Sequence, residues 1–145
     1  MKPCVAARAV VVKDQKILLV NGDGGGDLWV LPGGRMNYGE NLKAACKREV
    51  YEETGLAIET GNAFCVDEFF ADESAYHVVN IFFYCKILNG DLPDNWVDTD
   101  GPVISGKFFT LADLQNINAS PKWLKDGEWL AQDSSDIYRG QGKKE

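Results

Sequence analysis

The chain has 145 residues, of which 45% are hydrophobic, and this is enough apolar material for one domain with a buried core. Its formal net charge is −7, and its basic residues form no run beyond Lys143 and Lys144, which argues against an extended nucleic acid as partner. The four cysteines contain no C-x-x-C pair, and Arg8 interrupts the early apolar stretch. We therefore expect a single cytoplasmic domain over residues 1–145, with reduced thiols and no membrane partner.

Two apolar runs open the chain and predict a β-hairpin. Val5–Val12 and Lys16–Val20 are rich in aliphatic residues, and the polar residues 13–15 between them suit a tight turn. A glycine-rich stretch over 21–27 follows, for which we expect a surface loop rather than a lid over a substrate. The segment 31–34, Leu-Pro-Gly-Gly, predicts an irregular loop, neither strand nor helix, whose backbone can approach a ligand closely.

A helix is predicted directly after these glycines. Asn37 followed by Glu40 three residues later is typical of an N-cap with its capping-box partner. Gly55 after Thr54 is typical of a left-handed C-cap. The predicted helix therefore spans residues 38–54.

Three acids lie on one face of this predicted helix. At about 100° per residue, Glu53 and Glu52 lie about 40° and about 60° to either side of Glu49, within one arc of roughly 100°. One turn earlier, Leu42 and Cys46 occupy the same arc, so the acids replace an apolar stripe. Carboxylates crowded on a partly buried face are costly unless cations neutralise them. Because no His or Cys accompanies the acids at this spacing, the oxygen ligands suit Mg²⁺ or Mn²⁺ rather than zinc.

The rest of the chain predicts further strands with helices near the end. Strands are expected over 57–70 and 76–88, separated by an acidic turn at 71–74, and an acidic loop is expected over 90–101. A late strand over 106–109 precedes a short helix over 111–115 and another over 120–132, with Pro121 in its first turn. Helices among hairpin strands predict a mixed sheet with helices on its faces.

The helix and its flanking loops resemble the signature of a known family. Residues 34–56 match every fixed position of the Nudix box, G-x5-E-x7-R-E-U-x-E-E-x-G-U, where U is aliphatic, and matches at this many fixed spacings make it a strong motif. The fixed letters are Gly34, Glu40, Arg48, Glu49, Glu52, Glu53 and Gly55, and the aliphatic ones are Val50 and Leu56. The chain is therefore identified as a member of the MutT-like Nudix hydrolase family. Weaker similarity covers the leading strand pair and residues 107–114.

The resemblance implies a fold, a reaction and a set of site residues. The implied fold is the Nudix α/β/α sandwich, with a mixed β-sheet and a catalytic loop–helix–loop. The implied reaction is Mg²⁺- or Mn²⁺-dependent hydrolysis of a pyrophosphate bond in a nucleoside diphosphate linked to another moiety. Glu49, Glu52 and Glu53 are the expected catalytic acids and metal ligands, and the Gly33 carbonyl completes the coordination. Arg48 is the expected orienting residue, with Glu40 and Gly34 beside the ligands. Without the box, Arg48 and Glu52 would be read as an i,i+4 surface ion pair.

The general base is left open by the sequence. In some members of the family it is a box glutamate, here Glu49, and in others an acid or a histidine on a downstream loop. Asp98 and Asp100 are the preferred loop candidates, because relatives carry such an acid before the strand at 106–109. His77 lies among apolar strand residues, so we expect a structural histidine with a hydrogen-bond partner.

Substrate identity is less constrained. Arg8 and Arg35 are the candidate phosphate-binding cations, although each can equally be an ordinary strand or loop residue. The proline that the ADP-ribose branch often carries after its box is missing from residues 57–85, and so is a coenzyme A signature. Nucleoside triphosphates or nucleotide sugars are therefore slightly favoured, with an ADP-ribose pyrophosphatase as an alternative. A metal-dependent phosphomonoesterase and a silent nucleotide-binding module are the rival classes. We expect a small nucleotide as partner, and a homodimer is left open.

Overall fold

The computed structural model describes residues 2–21, 26–93, 96, 106–132 and 136–143. Within these ranges no helix is long and apolar enough to cross a membrane. Residues 22–25 of the predicted glycine-rich loop, and most of the predicted loop over 90–101, lie outside the described part.

The elements in chain order are β1 (Cys4–Lys13), β2 (Lys16–Asn21), β3 (Leu28–Val30), β4 (Gly33–Arg35), α1 (Leu42–Thr54), β5 (Ile58–Ala71), β6 (Tyr76–Ile87), β7 (Gly106–Thr110), α2 (Leu111–Leu114), β8 (Asn118–Ser120), a 3₁₀ helix (Lys122–Asp126), α3 (Glu128–Ala131) and β9 (Tyr138–Lys143).

The strands form one mixed sheet. Its order is β8-β3-β2-β1-β6-β5-β9, with β4 paired to β1 and β7 paired to β2. The central pair β1–β6 is parallel, whereas β1–β2 and β5–β6 are antiparallel hairpins. The predicted first hairpin is confirmed: Asp14 and Gln15 take φ values of 52° and 62°, as a two-residue turn that matches the strand twist requires.

Side chains on the two faces of the sheet form two separate cores. Ala7, Ala9 and Val11 of β1 are buried together with Cys46 and Val50 of α1 on one face. The other face buries a second cluster, whose members include Val10, Ile17, Phe64, Phe82, Phe109, Leu124 and Trp129. Alternation along β1 therefore directs neighbouring side chains into opposite cores, with helices covering both. The predicted α/β/α sandwich is confirmed.

The start of α1 differs from the prediction. The helix begins at Leu42, and its N-cap is Asn41, whose side-chain oxygen accepts a hydrogen bond of 2.8 Å from the Ala44 N–H. The predicted cap at Asn37 and the helix from 38 are wrong. Glu40 does reach back to the Asn37 N–H, at 3.0 Å, but the two residues close a turn ahead of the helix. The predicted C-cap at Gly55 is confirmed, with φ at 78°.

The segment around Pro32 also differs from the prediction. Gly33 and Gly34 belong to β4, which pairs antiparallel with Ala6–Arg8 of β1, so the expectation that neither could lie in a strand is wrong. The glycines are required by the closeness of that pairing. A Cβ on Gly33 would lie 2.2 Å from the Ala7 carbonyl oxygen, far inside van der Waals contact.

The C-terminal helix prediction is wrong in a similar way. Instead of one helix over 120–132, a 3₁₀ helix and α3 are separated by Gly127, which takes a left-handed φ of 79°. The short strand β8 and the strand β9 were not predicted. Both pair parallel with a strand distant in sequence, β3 and β5 respectively, and local pattern does not report such partners.

Replacement of Gly55 by alanine should destabilise the protein more than replacement of Gly39. Both glycines have a left-handed φ, at 78° and 83°, so each alanine should cost about 1–2 kcal/mol in backbone strain. At Gly55 the new Cβ would also lie 2.7 Å from the Trp96 ring, whereas at Gly39 it would meet nothing within 4 Å. Urea unfolding of the two variants measures the difference, and equal losses would show that Trp96 does not pack firmly here.

Candidate active site

Arg48 lies at the centre of the box acids. Its guanidinium donates to both oxygens of Glu40, at 2.8 and 2.9 Å, and to Glu49 Oε1 at 2.8 Å. The contacts to the Glu52 carboxylate are longer, at 3.4 Å, and Nη2 also donates to the Arg35 carbonyl oxygen at 3.1 Å. One side chain therefore ties three box acids to the end of β4. The i,i+4 pair with Glu52 exists, but it is the weakest of these contacts.

The forked contact between Arg48 and Glu40 changes the acidity of both groups. The hydrogen bond from Arg48 is the largest cause that lowers the pKa of Glu40 to about 2, followed by the bond from the Asn37 N–H. The Glu40 carboxylate in turn is the largest cause that raises the pKa of Arg48. Each group stabilises the charged form of the other, as expected for a bidentate Arg–carboxylate pair.

Two other box acids contact the glycines of β4. Glu53 Oε1 accepts a hydrogen bond of 2.7 Å from the Gly33 N–H. The Glu49 carboxylate lies against Gly34, where a Cβ would approach its carbon and oxygen atoms to 2.6–2.9 Å. Gly34 is therefore a glycine because a carboxylate fills the space of a side chain. The helix acids and the backbone of β4 are thus in direct contact.

The Gly33 carbonyl has a cationic partner. Arg8 Nη1 donates to this oxygen at 3.1 Å, and Arg8 Nε donates to Asn80 Oδ1 at 3.4 Å. Asn80 Nδ2 donates to Asp67 Oδ1 at 3.0 Å, and Trp123 Nε1 donates to the other Asp67 oxygen at 3.4 Å. Burial is the main cause that raises the pKa of Asp67. A chain of polar contacts therefore runs from the predicted metal-binding carbonyl across three strands.

The remaining predicted cation, Arg35, lies apart from this chain. Its side chain is exposed and its guanidinium carbon lies 5.5 Å from the centre of the Tyr76 ring. Of the two candidate phosphate-binding residues, Arg8 is held by protein atoms and Arg35 stacks on an aromatic ring. Binding of phosphate by either residue stays a prediction.

Whether the site fits a divalent cation depends on donor type and on convergence. The expected donors, three carboxylates and one main-chain carbonyl, are the hard oxygen ligands that Mg²⁺ and Mn²⁺ prefer. In the described part of the chain, however, no three acidic, His or Cys side chains converge closely enough to hold a metal ion. The contacts to Arg48 and Gly33 account for this separation, because they hold Glu49 and Glu53 against protein partners. The carboxylate and carbonyl oxygens are therefore of the right type for Mg²⁺ or Mn²⁺. To reach one ion, the Glu49 and Glu53 side chains have to rotate away from their present partners.

The predicted loop bases, Asp98 and Asp100, lie outside the described residues. Trp96, which precedes them, donates from its indole N–H to the Glu52 carbonyl oxygen at 2.8 Å and stacks edge-on against Tyr51. This contact could not be predicted from the sequence, because nothing in a loop sequence indicates a contact with a helix carbonyl. His77 lies 3.3 Å from Glu68 Oε1, so it has the partner expected of a structural histidine.

Comparison with known proteins gives consistent matches. A family model described as the NUDIX domain matches residues 2–132. An ADP-ribose pyrophosphatase of Methanocaldococcus jannaschii is 28% identical over 135 residues, covering 92% of this chain and 73% of that protein. A solved UDP-X diphosphatase superimposes with a TM-score of 0.72 at 27% identity, over 98% of this chain and 68% of that one. An ADP-ribose pyrophosphatase of Streptococcus suis superimposes with a TM-score of 0.66 at 25% identity, over 99% of this chain and all (100%) of that one.

The pairing of Arg48 with Glu40 predicts a specific pH dependence of stability. Because folding lowers the pKa of Glu40 from 4.5 to about 2, the ionised side chain stabilises the fold above about pH 4.5. This contribution should be lost as pH falls towards about 2. Glu40→Gln should therefore lower Tm near neutral pH, and its difference from wild type should shrink as acid is added. Thermal melts across this range measure the effect. Glu73→Gln, in the exposed β5–β6 turn, is the control, and a difference for Glu40→Gln that stays constant with pH would contradict the prediction.

Proposed function

The chain belongs to the NUDIX family, and from this premise we propose that it hydrolyses, with Mg²⁺ or Mn²⁺, the pyrophosphate bond of a nucleoside diphosphate linked to a sugar. Family membership confirms the predicted class of enzyme, a Nudix hydrolase. The observation that carries the proposal is the double contact between the box helix and β4. Glu53 accepts from the Gly33 N–H while Glu49 lies against Gly34, so the acids meet the one stretch of backbone that approaches them without side chains.

In this proposal, Glu49, Glu52, Glu53 and the Gly33 carbonyl hold the divalent cation. When bound, such a cation offsets the charge on the phosphate oxygens and makes a bound water more acidic. Arg48 donates to Glu49 Oε1 at 2.8 Å and to both Glu52 oxygens at 3.4 Å, and so orients the two carboxylates. Glu40 balances the Arg48 charge, because its carboxylate accepts hydrogen bonds from two of the guanidinium nitrogens.

The proton acceptor for the attacking water has two sources in the proposal. Glu49 has one oxygen bonded to Arg48, which leaves its other oxygen able to accept from water. Asp98 and Asp100 are the alternatives on the loop that follows Trp96. A comparison of pH–rate profiles for Glu49→Gln and for the two loop variants separates these sources, because only loss of the base removes the acidic limb of the profile.

The comparisons support a sugar-linked substrate. The relatives with stated activities are ADP-ribose pyrophosphatases and a UDP-X diphosphatase, which share a nucleoside diphosphate attached to a further group. We therefore favour nucleoside diphosphate sugars, ADP-ribose among them, over nucleoside triphosphates as substrates. Arg8 and Arg35 remain the cations proposed to meet the phosphates, and Arg35 is the more exposed of the two. The four cysteines are free thiols, which supports a cytoplasmic location.

A substrate panel should show cleavage within a diphosphate linkage and none of a single phosphate ester. We expect a nucleoside monophosphate plus a sugar phosphate from ADP-ribose or a nucleotide sugar, in the presence of Mg²⁺ or Mn²⁺. Nucleoside monophosphates should stay intact, because one phosphate cannot span a site built for two. Chromatography of the products after incubation with each compound decides the result. Inorganic phosphate released from monophosphates alone would favour the phosphatase class, and binding without turnover would favour the silent module.

Glu53→Gln should remove this activity without loss of the fold. The glutamine oxygen can still accept from the Gly33 N–H, so Tm should stay close to wild type, whereas loss of a charged metal ligand should lower kcat on the order of 10² or more. Glu59→Gln, an exposed acid on β5, is the matched control. Near wild-type kcat at saturating Mg²⁺ would refute the assigned metal ligand.

A further inference from the structure

Arg8 places a positive charge on the carbonyl proposed as a metal ligand. The side chain is half-buried on β1, and both of its hydrogen-bond acceptors, the Gly33 carbonyl and the Asn80 amide, are neutral. The ion pairs among the described residues do not include Arg8; Asp67 interacts with its charge at longer range and is hydrogen-bonded to Asn80 rather than to Arg8 itself. Since arginine stays protonated, the charge at this oxygen has no direct counter-ion within the described part of the chain.

The backbone around Gly33 is held without the help of Arg8. β4 pairs with β1 through its main chain, and the Pro32 carbonyl accepts from the Ala9 N–H at 2.8 Å. The Gly33 N–H is bonded to Glu53, on the other side of the residue. Loss of the Arg8 side chain therefore leaves the carbonyl in place, and what the side chain adds is mainly charge.

We propose that Arg8 is a positioning residue that weakens the binding of a free divalent cation at Gly33, so that the cation is held firmly only together with substrate phosphates. Two positive groups on one carbonyl oxygen repel each other, and phosphate oxygens brought by the substrate offset that repulsion. This inference rests on the proposed function. It assigns Arg8 a role in the order in which the cation and the substrate bind, which goes beyond contact with phosphate.

The test measures binding of Mn²⁺ alone, by paramagnetic resonance of the free ion, and steady-state kinetics on the substrate found by the panel. Arg8→Met should bind Mn²⁺ on the order of tenfold more tightly than wild type and should show a higher KM with kcat largely kept. Arg8→Lys retains the charge and should bind Mn²⁺ about as weakly as wild type. Arg35→Met removes a nearby cation that does not contact Gly33 and should change Mn²⁺ affinity less than Arg8→Met.

Unchanged or weaker Mn²⁺ binding by Arg8→Met in an active protein would overturn the role of Arg8 alone. Absence of both Mn²⁺ binding and turnover in wild type would refute the proposed function and this inference with it. Arg8→Gln, which keeps a polar group beside Asn80, is a second neutral variant in case the methionine disturbs folding. A matching gain in affinity for both neutral variants would support the assignment of the effect to charge.

A second inference comes from two thiols and does not depend on a metal. Cys46 of α1 and Cys85 of β6 have their sulfur atoms 3.8 Å apart. Cys46 is fully buried, whereas Cys85 is half-buried and lines an open cleft of about 670 Å³ at the end of β1 away from β4. Small solutes in this cleft can therefore reach one thiol of the pair without opening the fold.

We infer that Cys46 and Cys85 are a site of oxidative modification that forms a disulfide with hydrogen peroxide. One thiolate attacks a peroxide oxygen, which gives a sulfenic acid and one water, and the second thiol attacks that sulfur and releases another water. The two sulfurs are oxidised and the peroxide is reduced. Because an S–S bond is about 2.05 Å long, the two sulfurs must move closer together, which changes the packing of Cys46 of α1 against β6. Glu49 lies one turn beyond Cys46, so kcat should fall when the bond forms.

Intact mass measured after peroxide treatment, with free thiols alkylated, tests this inference. Wild type should lose two hydrogens and two alkylation sites, with a several-fold lower kcat that dithiothreitol restores. Cys85→Ser should keep its kcat under peroxide, and Cys65→Ser should respond as wild type does, because Cys65 is buried on the opposite face of the sheet. An unchanged mass, or a response that persists in both Cys85→Ser and Cys85→Ala, would overturn the inference.

Discussion

The close approach of β4 to both β1 and α1 is the constraint on which the site depends. Gly33 is pressed against the Ala7 carbonyl, and Gly34 is pressed against the Glu49 carboxylate, so no side chain fits at either position. The absence of side chains exposes the backbone of β4 directly to the box acids. Since β1 is the central strand of the sheet and is paired along its length, the position of β4 is set by the centre of the sheet.

Charged side chains surround the contact between β4 and α1. Glu53 approaches the N–H of Gly33 and Arg8 approaches its carbonyl, so the two polar groups of one residue meet opposite charges. On the far side of the helix acids, Arg48 bridges Glu40, Glu49 and Glu52. These contacts allow several carboxylates to lie close together in one partly buried place, because each has a specific donor rather than only bulk solvent. The same contacts hold Glu49 and Glu53 against protein partners rather than against each other.

Both faces of the sheet contribute to the site. The face that packs against α1 presents the box acids, whereas Arg8, Asn80 and Asp67 project from the opposite face, where Trp123 of the 3₁₀ helix closes the chain of contacts. Cys46 and Cys85 join α1 to β6 at the far end of β1. The helix that carries the acids therefore contacts groups on the sheet through Cys46 in its first half and through Glu53 near its C-terminal end.

Much of the fold and the identity of the box acids could be predicted from the sequence, because both follow from local pattern. Alternating apolar residues indicated the long strands, the spacing of Glu49, Glu52 and Glu53 placed them on one helical face, and Gly55 marked the end of the helix. These features depend on backbone periodicity and on single-residue conformational preference, which act over a few residues. The errors arose where two nearby residues could each fill the same role or where one residue interrupts a pattern. Asn41 rather than Asn37 caps α1, and Gly127 divides the predicted last helix.

Only the tertiary structure decided how these pieces meet. Four features depend on residues that are far apart in sequence. They are the strand conformation of Gly33, the parallel pairing of β8 and β9, the hydrogen bond from Trp96 to the Glu52 carbonyl and the polar chain from Arg8 to Asp67. Their energy arises from contacts that exist only once the sheet has assembled, so no local pattern encodes them. The sequence alone determined which acids the box contains and on which helix, whereas packing across the sheet determined which protein group each of them contacts.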